Sequence, residues 1–303
     1  VATNNILEKV MPFKNLHILV LLRECSDPRP PVKTVTRGAG INERGLRRLA
    51  NPADLSALEE ALSLKDSLGA SVTVLTVGPK RHDDLLRLAH SFGADQCIRF
   101  WDHGLEENDV MADARLLARI IEIIAPTLVF TGNRLLDRGD DPAPALAAAL
   151  RNMPCLSSVT ALKLTNNAVE ATRKVDRGGH QIEIAPYPCA IQFEAVAVPR
   201  YPSMPAVAAA VKAPLTVWNL SNLGLPSWTV GAVGSYLSLA EYGVPRPDPV
   251  RVVTPDATLP TYERILSLLS GGIKAREGRQ HTGSAEKVSD DLWQILVDEG
   301  IAP

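Results

Sequence analysis

The chain has 303 residues, 46% of them hydrophobic and 22% charged, with a formal net charge of −2. That is globular composition, long enough for one large domain or two small ones, with no bulk charge that would bind nucleic acid or an anionic membrane. No apolar run is long enough to cross a bilayer, and Val1 to Pro12 lacks the apolar core of a signal peptide, so a cytoplasmic location without membrane insertion is expected.

In chain order, His17-Ile-Leu-Val-Leu-Leu22 is a short continuous apolar run, the pattern of a strand buried on both faces. Arg23 to Arg48 is polar and Pro-rich and reads as a long loop with room for a small hairpin. A helix is expected from Asn51-Pro-Ala-Asp54. Asn51 suits the N-cap, Pro52 the first helical position, and Asp54 the positive end of the helix dipole. Leu55, Leu58, Ala61 and Leu62 share one face, and Gly69 ends the helix.

Val72 to Val77 is a second strand, closed by Gly78-Pro79. A helix over 82–92, a strand over Gln96 to Phe100, a helix from Asp109 to Ile124 and a strand from Thr127 to Thr131 follow, then a short helix from Pro142 to Leu150. Such alternation predicts a doubly wound α/β fold, a parallel sheet with helices on both faces. Ligands of this architecture sit beyond the carboxyl ends of the strands. Here those are the loops after Leu22, Val77 and Thr131 and the helix start at Asn51.

After Leu150 the pattern turns to β. Ala161 to Thr165 and Val169 to Val175 meet at Asn166-Asn167, and Gln181 to Ala185 and Ala190 to Val198 continue it, either extending the sheet or forming a flap. Pro199 to Gly283 shows little periodicity, apart from a helical stretch over Leu259 to Leu269. A helix from Ala285 to Asp298 closes the chain before Gly300. The expected organisation is a nucleotide-binding domain over 14–200 and an extended tail over 201–303. So long a tail without periodicity is expected to pack on a partner subunit.

Motifs of self-contained catalysis are missing. There is no GxxxxGK[ST] loop, no HExxH and no GxSxG elbow. Arg37 to Gly45 has glycines without the strand-to-helix setting of a dinucleotide fingerprint, and Ser270-Gly-Gly272 lies far from the first strand. The four cysteines (Cys25, Cys97, Cys155, Cys189) form no CxxC pair and the six histidines no HxxxH pair, so buried thiols rather than a metal centre are expected. Either catalysis uses residues that no sequence spacing pairs, or the chemistry belongs to a bound cofactor. Asn51 to Asp54 reads either as a capped helix or as a phosphate contact at a helix N-terminus. Gly132 to Asp141, with Arg134, Asp137, Asp140 and Asp141, reads either as a βα loop or as a backbone cradle for phosphate.

Asn51-Pro-Ala-Asp-Leu-Ser-Ala-Leu-Glu-Glu-Ala-Leu-Ser-Leu-Lys65 resembles the NPxDxxAxEEAxxLK segment of electron-transfer flavoprotein beta subunits. Val72 to Pro79, Phe92-Gly-Ala-Asp95, Thr131 to Asp137, Arg173 to Gly179, Pro199-Arg-Tyr201 and Val288 to Ile301 resemble further family segments in the family's order. The resemblance implies an α/β adenine-nucleotide-binding domain that pairs with a larger alpha subunit carrying most of the FAD contacts. It implies AMP, or a second FAD in electron-bifurcating members, held at Leu21, Asn51, Pro52, Ala53, Asp54, Val77, Gly132, Asn133, Arg134, Asp137, Arg138, Gly139, Asp140 and Asp141. It also implies a docking loop from Pro199 to Pro205, with Met204 as the anchor for a donor dehydrogenase.

The sequence departs from the family where the acidic loop should run into a polar Thr-Gly-Gln stretch. The matching positions are Ala143, Pro144 and Ala145, which offer no side-chain donor, and Pro144 has no N–H. The expected role is electron carriage from a dehydrogenase to a downstream acceptor. The alternatives are a scaffold subunit of a flavoprotein dehydrogenase complex that has lost its nucleotide, or a nucleotide-binding enzyme of the same fold. The last would need a phosphate loop after the first strand, where Arg23-Glu-Cys-Ser-Asp-Pro28 has no glycine.

Overall fold

The computed structural model describes residues 16–29, 46–238, 255–269 and 282–298. The stretches at Val1–Pro12, Arg37–Gly45 and Ser270–Gly272, and Gly300, lie outside them. The chain divides between Gly243 and Val244.

The first unit begins with β1 (His17–Leu21), followed by a small antiparallel pair, β2 (Glu24–Ser26) and β3 (Arg48–Ala50). Then come α1 (Pro52–Leu68), β4 (Ser71–Val77), α2 (Asp83–Phe92), β5 (Gln96–Phe100), α3 (Val110–Ile124) and β6 (Leu128–Gly132). A tight hairpin of β7 (Arg134–Leu135) and β8 (Gly139–Asp140) precedes α4 (Ala143–Leu150). β9 (Cys155–Leu164), β10 (Ala168–Lys174), β11 (His180–Pro186) and β12 (Cys189–Phe193) complete the β-rich stretch. α5 (Met204–Lys212), β13 (Thr216–Trp218), α6 (Leu220–Leu223) and α7 (Gly231–Gly234) follow.

The main sheet has nine strands in the order β11-β10-β9-β12-β6-β1-β4-β5-β13. From β9 through β13 neighbouring strands run parallel, and β10 is the antiparallel step at one side. The alternation of β1 explains why it reads as one apolar run. Ile18 and Val20 face α1 and α2, meeting Leu58, Ala61 and Leu86. Leu19 and Leu21 face α3 and α4, meeting Leu116, Ile120 and Ala147. A doubly covered strand needs apolar residues at every position.

Three sequence expectations change. The β stretch after Pro188 ends at Phe193 rather than Val198, because Val196 and Ala197 donate their N–H groups to Ser56 Oγ on α1 instead of to a ladder. The stretch after 200 is not a bare tail. Ser203 caps α5 through the N–H of Ala206, Arg87 on α2 donates to the carbonyls of Ala210 and Val211, and β13 pairs with β5. The division near residue 200 therefore falls inside the first unit. The second unit contains α8 (Thr261–Leu269) and α9 (Ala285–Asp298).

The chain runs from β1 to β4 and β5 on one side, then returns to β6 on the other side of β1. Their helices leave to opposite faces, α1 after β1 and α4 after β6. That strand reversal opens a crevice at the carboxyl edge, where this architecture places its ligands.

Candidate functional site

A cleft of about 840 Å³ opens at that edge. Leu21 and Val77, at the ends of β1 and β4, form part of its floor, with Leu116 and Leu117 of α3 beside them. Asp137, Arg138, Asp141 and Ala143 reach it from the loop after β6. Of the residues anticipated from sequence, Leu21, Val77, Asp137, Arg138 and Asp141 line the cleft.

Arg23, directly after β1, organises the site, and sequence reading missed it. Its guanidinium donates from Nε and Nη2 to Asp54 (2.9 and 2.6 Å), from Nη1 to Asp141 Oδ2 (2.5 Å) and from Nη2 to the Gly132 carbonyl (2.8 Å). Burial works against its charge, but Asp54 and Asp141 outweigh that and hold its pKa above the ordinary value. The available signal was position alone: a single cation at the carboxyl end of the first buried strand.

Asp54 stands behind the cleft, fully buried in the first turn of α1. Besides the arginine it accepts the backbone N–H of Arg23 (2.9 Å) and of Gly132 (2.6 Å). One carboxylate thus ties the ends of β1 and β6 to the start of α1. Gly132 is required here by space. A Cβ on it would lie 2.5 Å from Ala53 Cβ and 2.8 Å from the Ala53 carbonyl carbon. The glycine serves close approach of helix and loop, and its N–H is not free to cradle phosphate.

Asn51 takes the N-cap position of α1, but its side chain makes no cap bond. Its Nδ2 donates to the Arg134 carbonyl (2.9 Å) and its Oδ1 accepts from Leu136 N–H (3.2 Å). The loop over 134–136 presents an acceptor and a donor that match both ends of the amide, and so draws it away from the helix. Asn51→Ala should therefore lower stability by about 1–2 kcal/mol, the loss of two partly buried hydrogen bonds. Urea unfolding gives the total, and faster amide exchange at Leu136 with α1 unchanged would locate it.

The other anticipated residues lie off the cleft. Pro52 and Ala53 belong to the helix start. Asn133 and Arg134 turn to Glu194, Asn133 Nδ2 at 2.5 Å and Arg134 Nη2 at 3.6 Å. Gly139 and Asp140 are exposed in β8. Met204 lies at the start of α5, 80% exposed, with Tyr201 at 95% and Val198 at 81% nearby.

This exposed segment has a firm base. Arg200 donates from its backbone N–H, Nε and Nη2 to Glu59 and from Nη1 to Asp66 (2.8 Å), both on α1. With Ser56, these contacts fix residues 196–200 against the helix that also holds Asn51 and Asp54.

The far wall of the cleft is a second charge cluster. Glu24 pairs with Arg81 (2.9 Å), Arg48 (3.2 Å) and His82 (3.4 Å). Burial lowers the His82 pKa despite the pull of Glu24. Burial pushes the Asp113 carboxyl up, against the hydrogen bond from Asn108 and with help from Asp141. The cysteines add no nucleophile. Burial pushes Cys97 and Cys189 up to about 12 and Cys25 to about 11, well above neutral pH.

The fit of a nucleotide can be tested on these contacts. The volume suffices, yet the donors at the strand end and the start of α4 are taken: Gly132 N–H by Asp54, Ala143 N–H by Asp141 Oδ1 (3.1 Å), and Arg23 by both carboxylates, which leaves Arg138 as the lining guanidinium without a partner among the described residues. Pro142 and Pro144 have no N–H to offer. The strand-end cation and the helix start are thus a poor match to the phosphate of AMP or a second FAD.

A family model described as "Electron transfer flavoprotein domain" matches residues 39–223. Among curated relatives, "Electron transfer flavoprotein subunit beta" of Mycobacterium tuberculosis is 30% identical over 222 residues, covering 71% of this chain and 83% of the relative. "Protein FixA" of Azorhizobium caulinodans is 31% identical over 225 residues, 69% of this chain and 77% of the relative. "Protein FixA" of Sinorhizobium fredii is 28% identical over 278 residues, 86% of this chain and 95% of the relative.

Proposed function

The chain belongs to the electron transfer flavoprotein beta-subunit family, and from that premise we propose that it is the smaller subunit of a two-subunit electron carrier. Its partner is a larger alpha subunit that holds FAD. The pair takes electrons from a dehydrogenase and passes them to a downstream acceptor. The observation that carries this reading is the family match over more than half of the chain. The flavin supplies the electron-carrying chemistry, and the helix-start N–H and strand-end Arg23 of this cleft are taken by its own carboxylates, so in this reading the FAD lies with the alpha subunit.

The work of this chain is then to cover the partner's flavin side and to present a docking surface. The segment over Val198–Met204 supports the second task, because apolar side chains stand exposed on a backbone fixed by Ser56 and Glu59. An exposed anchor on a rigid base loses little entropy on docking.

Co-expression with the larger subunit tests the assignment. A stable pair with flavin absorbance is expected, and a chain that stays alone and colourless beside that subunit would contradict it. Within the pair, Met204→Ala should weaken donor docking by roughly tenfold, the effect of truncating an interface anchor, and leave thermal stability unchanged. The donor concentration giving half-maximal electron transfer measures it.

A further inference from the structure

We propose that the carboxylate of Asp141 is a built-in anion in the phosphate position of the cleft, so that this chain closes its own nucleotide site and works without a bound nucleotide. The inference rests on the family reading only for the identity of the ligand excluded.

A phosphate at the carboxyl edge of such a sheet is held by backbone N–H groups at a helix start and by a cation at a strand end. Asp141 meets that description with its own side chain. Oδ2 accepts from Arg23 Nη1 at 2.5 Å, and Oδ1 accepts from the N–H of Ala143, the first residue of α4, at 3.1 Å. One carboxylate thus bridges the strand-end cation and the helix start, as two oxygens of a phosphate would. Asp54 does the same on the α1 side, taking Gly132 N–H and the rest of the Arg23 guanidinium.

The remaining lining disfavours a second anion. Carboxylates outnumber guanidinium groups there: Glu24, Asp27, Asp113, Asp137 and Asp141 against Arg23, Arg48, Arg81 and Arg138. Arg48 and Arg81 both pair with Glu24, and Arg138 is the one lining guanidinium without a partner among the described residues. A phosphate would have to displace Asp141 and sit beside it, a like-charge contact.

Calorimetric titration of the full chain with AMP, wild type beside Asp141→Asn, tests this. The asparagine Oδ1 can still accept from Ala143 N–H, so the loop keeps its bond while the cleft loses one negative charge. Wild type should release no nucleotide on denaturation, and Asp141→Asn should bind AMP at least about tenfold more tightly than wild type. Wild type that retains AMP overturns the proposal whatever the variant does, and a variant that binds no tighter than wild type overturns it as well. Neither result bears on the carrier assignment, which depends on flavin in the complex with the larger subunit.

Discussion

Replacing Arg23 with alanine should destabilise the first unit by about 3–5 kcal/mol, the cost of leaving a buried carboxylate without its partner. Asp54 has no exposed side-chain surface, and Arg23 supplies its only ion pair among the described residues. After the substitution, two backbone N–H groups and the distant Thr131 hydroxyl (3.5 Å) remain to satisfy the carboxylate. In a unit of this size each kcal/mol moves Tm by roughly 2–4 °C, so a fall on the order of 10 °C follows. The double variant Arg23→Ala/Asp54→Ala should recover part of the loss, because it removes the stranded charge. Urea unfolding of the three proteins decides the matter. A single-variant cost below about 1 kcal/mol, the range of an exposed ion pair, would show that Arg23 does not hold the site together.

Gly132→Ala is the second large effect, expected at about 3 kcal/mol, the upper end for an overpacked core position. The new Cβ would meet Ala53 Cβ at 2.5 Å, Asp54 Oδ1 at 2.7 Å and the Ala53 carbonyl carbon at 2.8 Å. Two of these three belong to the α1 backbone or to the carboxylate that Arg23 fixes, so neither can give way cheaply. The loop after β6 must move off the helix and lose the Gly132–Asp54 bond. Ala53→Gly in the same chain relieves only the Cβ contact and should rescue a minor part. Thermal melts of the single and double variants measure both numbers, and full rescue would mean that the backbone contacts are unimportant.

The central sheet was legible in the sequence because β1, β4 and β6 are covered on both faces and so read as short runs of apolar and Thr residues without charge. β13 was not legible. It has three residues, is largely exposed, and owes its place to pairing with β5 at the sheet edge. α5 was missed because an Ala-rich helix with most of its surface exposed has little apolar periodicity, although Ser203 and Pro205 mark its start.

At the site, the resemblance named Leu21 and Val77, and the resemblance and the composition of the loop after β6 named Asp137, Arg138 and Asp141; all five line the cleft. Long-range pairing was out of reach. Arg23 meets Asp54 across 31 positions and Asp141 across 118, and no local pattern encodes such a bridge. The same limit explains Asn51. Its type and position suit a helix cap, but the loop at Arg134 and Leu136, more than 80 positions away, offers its amide a better pair of bonds.

The central proposal is a carrier subunit whose own cleft is closed by its own side chains. The most direct test is to purify it with the larger subunit, denature the complex, and quantify the released FAD and AMP by chromatography. FAD equimolar with the pair and no AMP is the predicted result. A complex without flavin, or one that releases AMP or a second FAD for each copy of this chain, would contradict it.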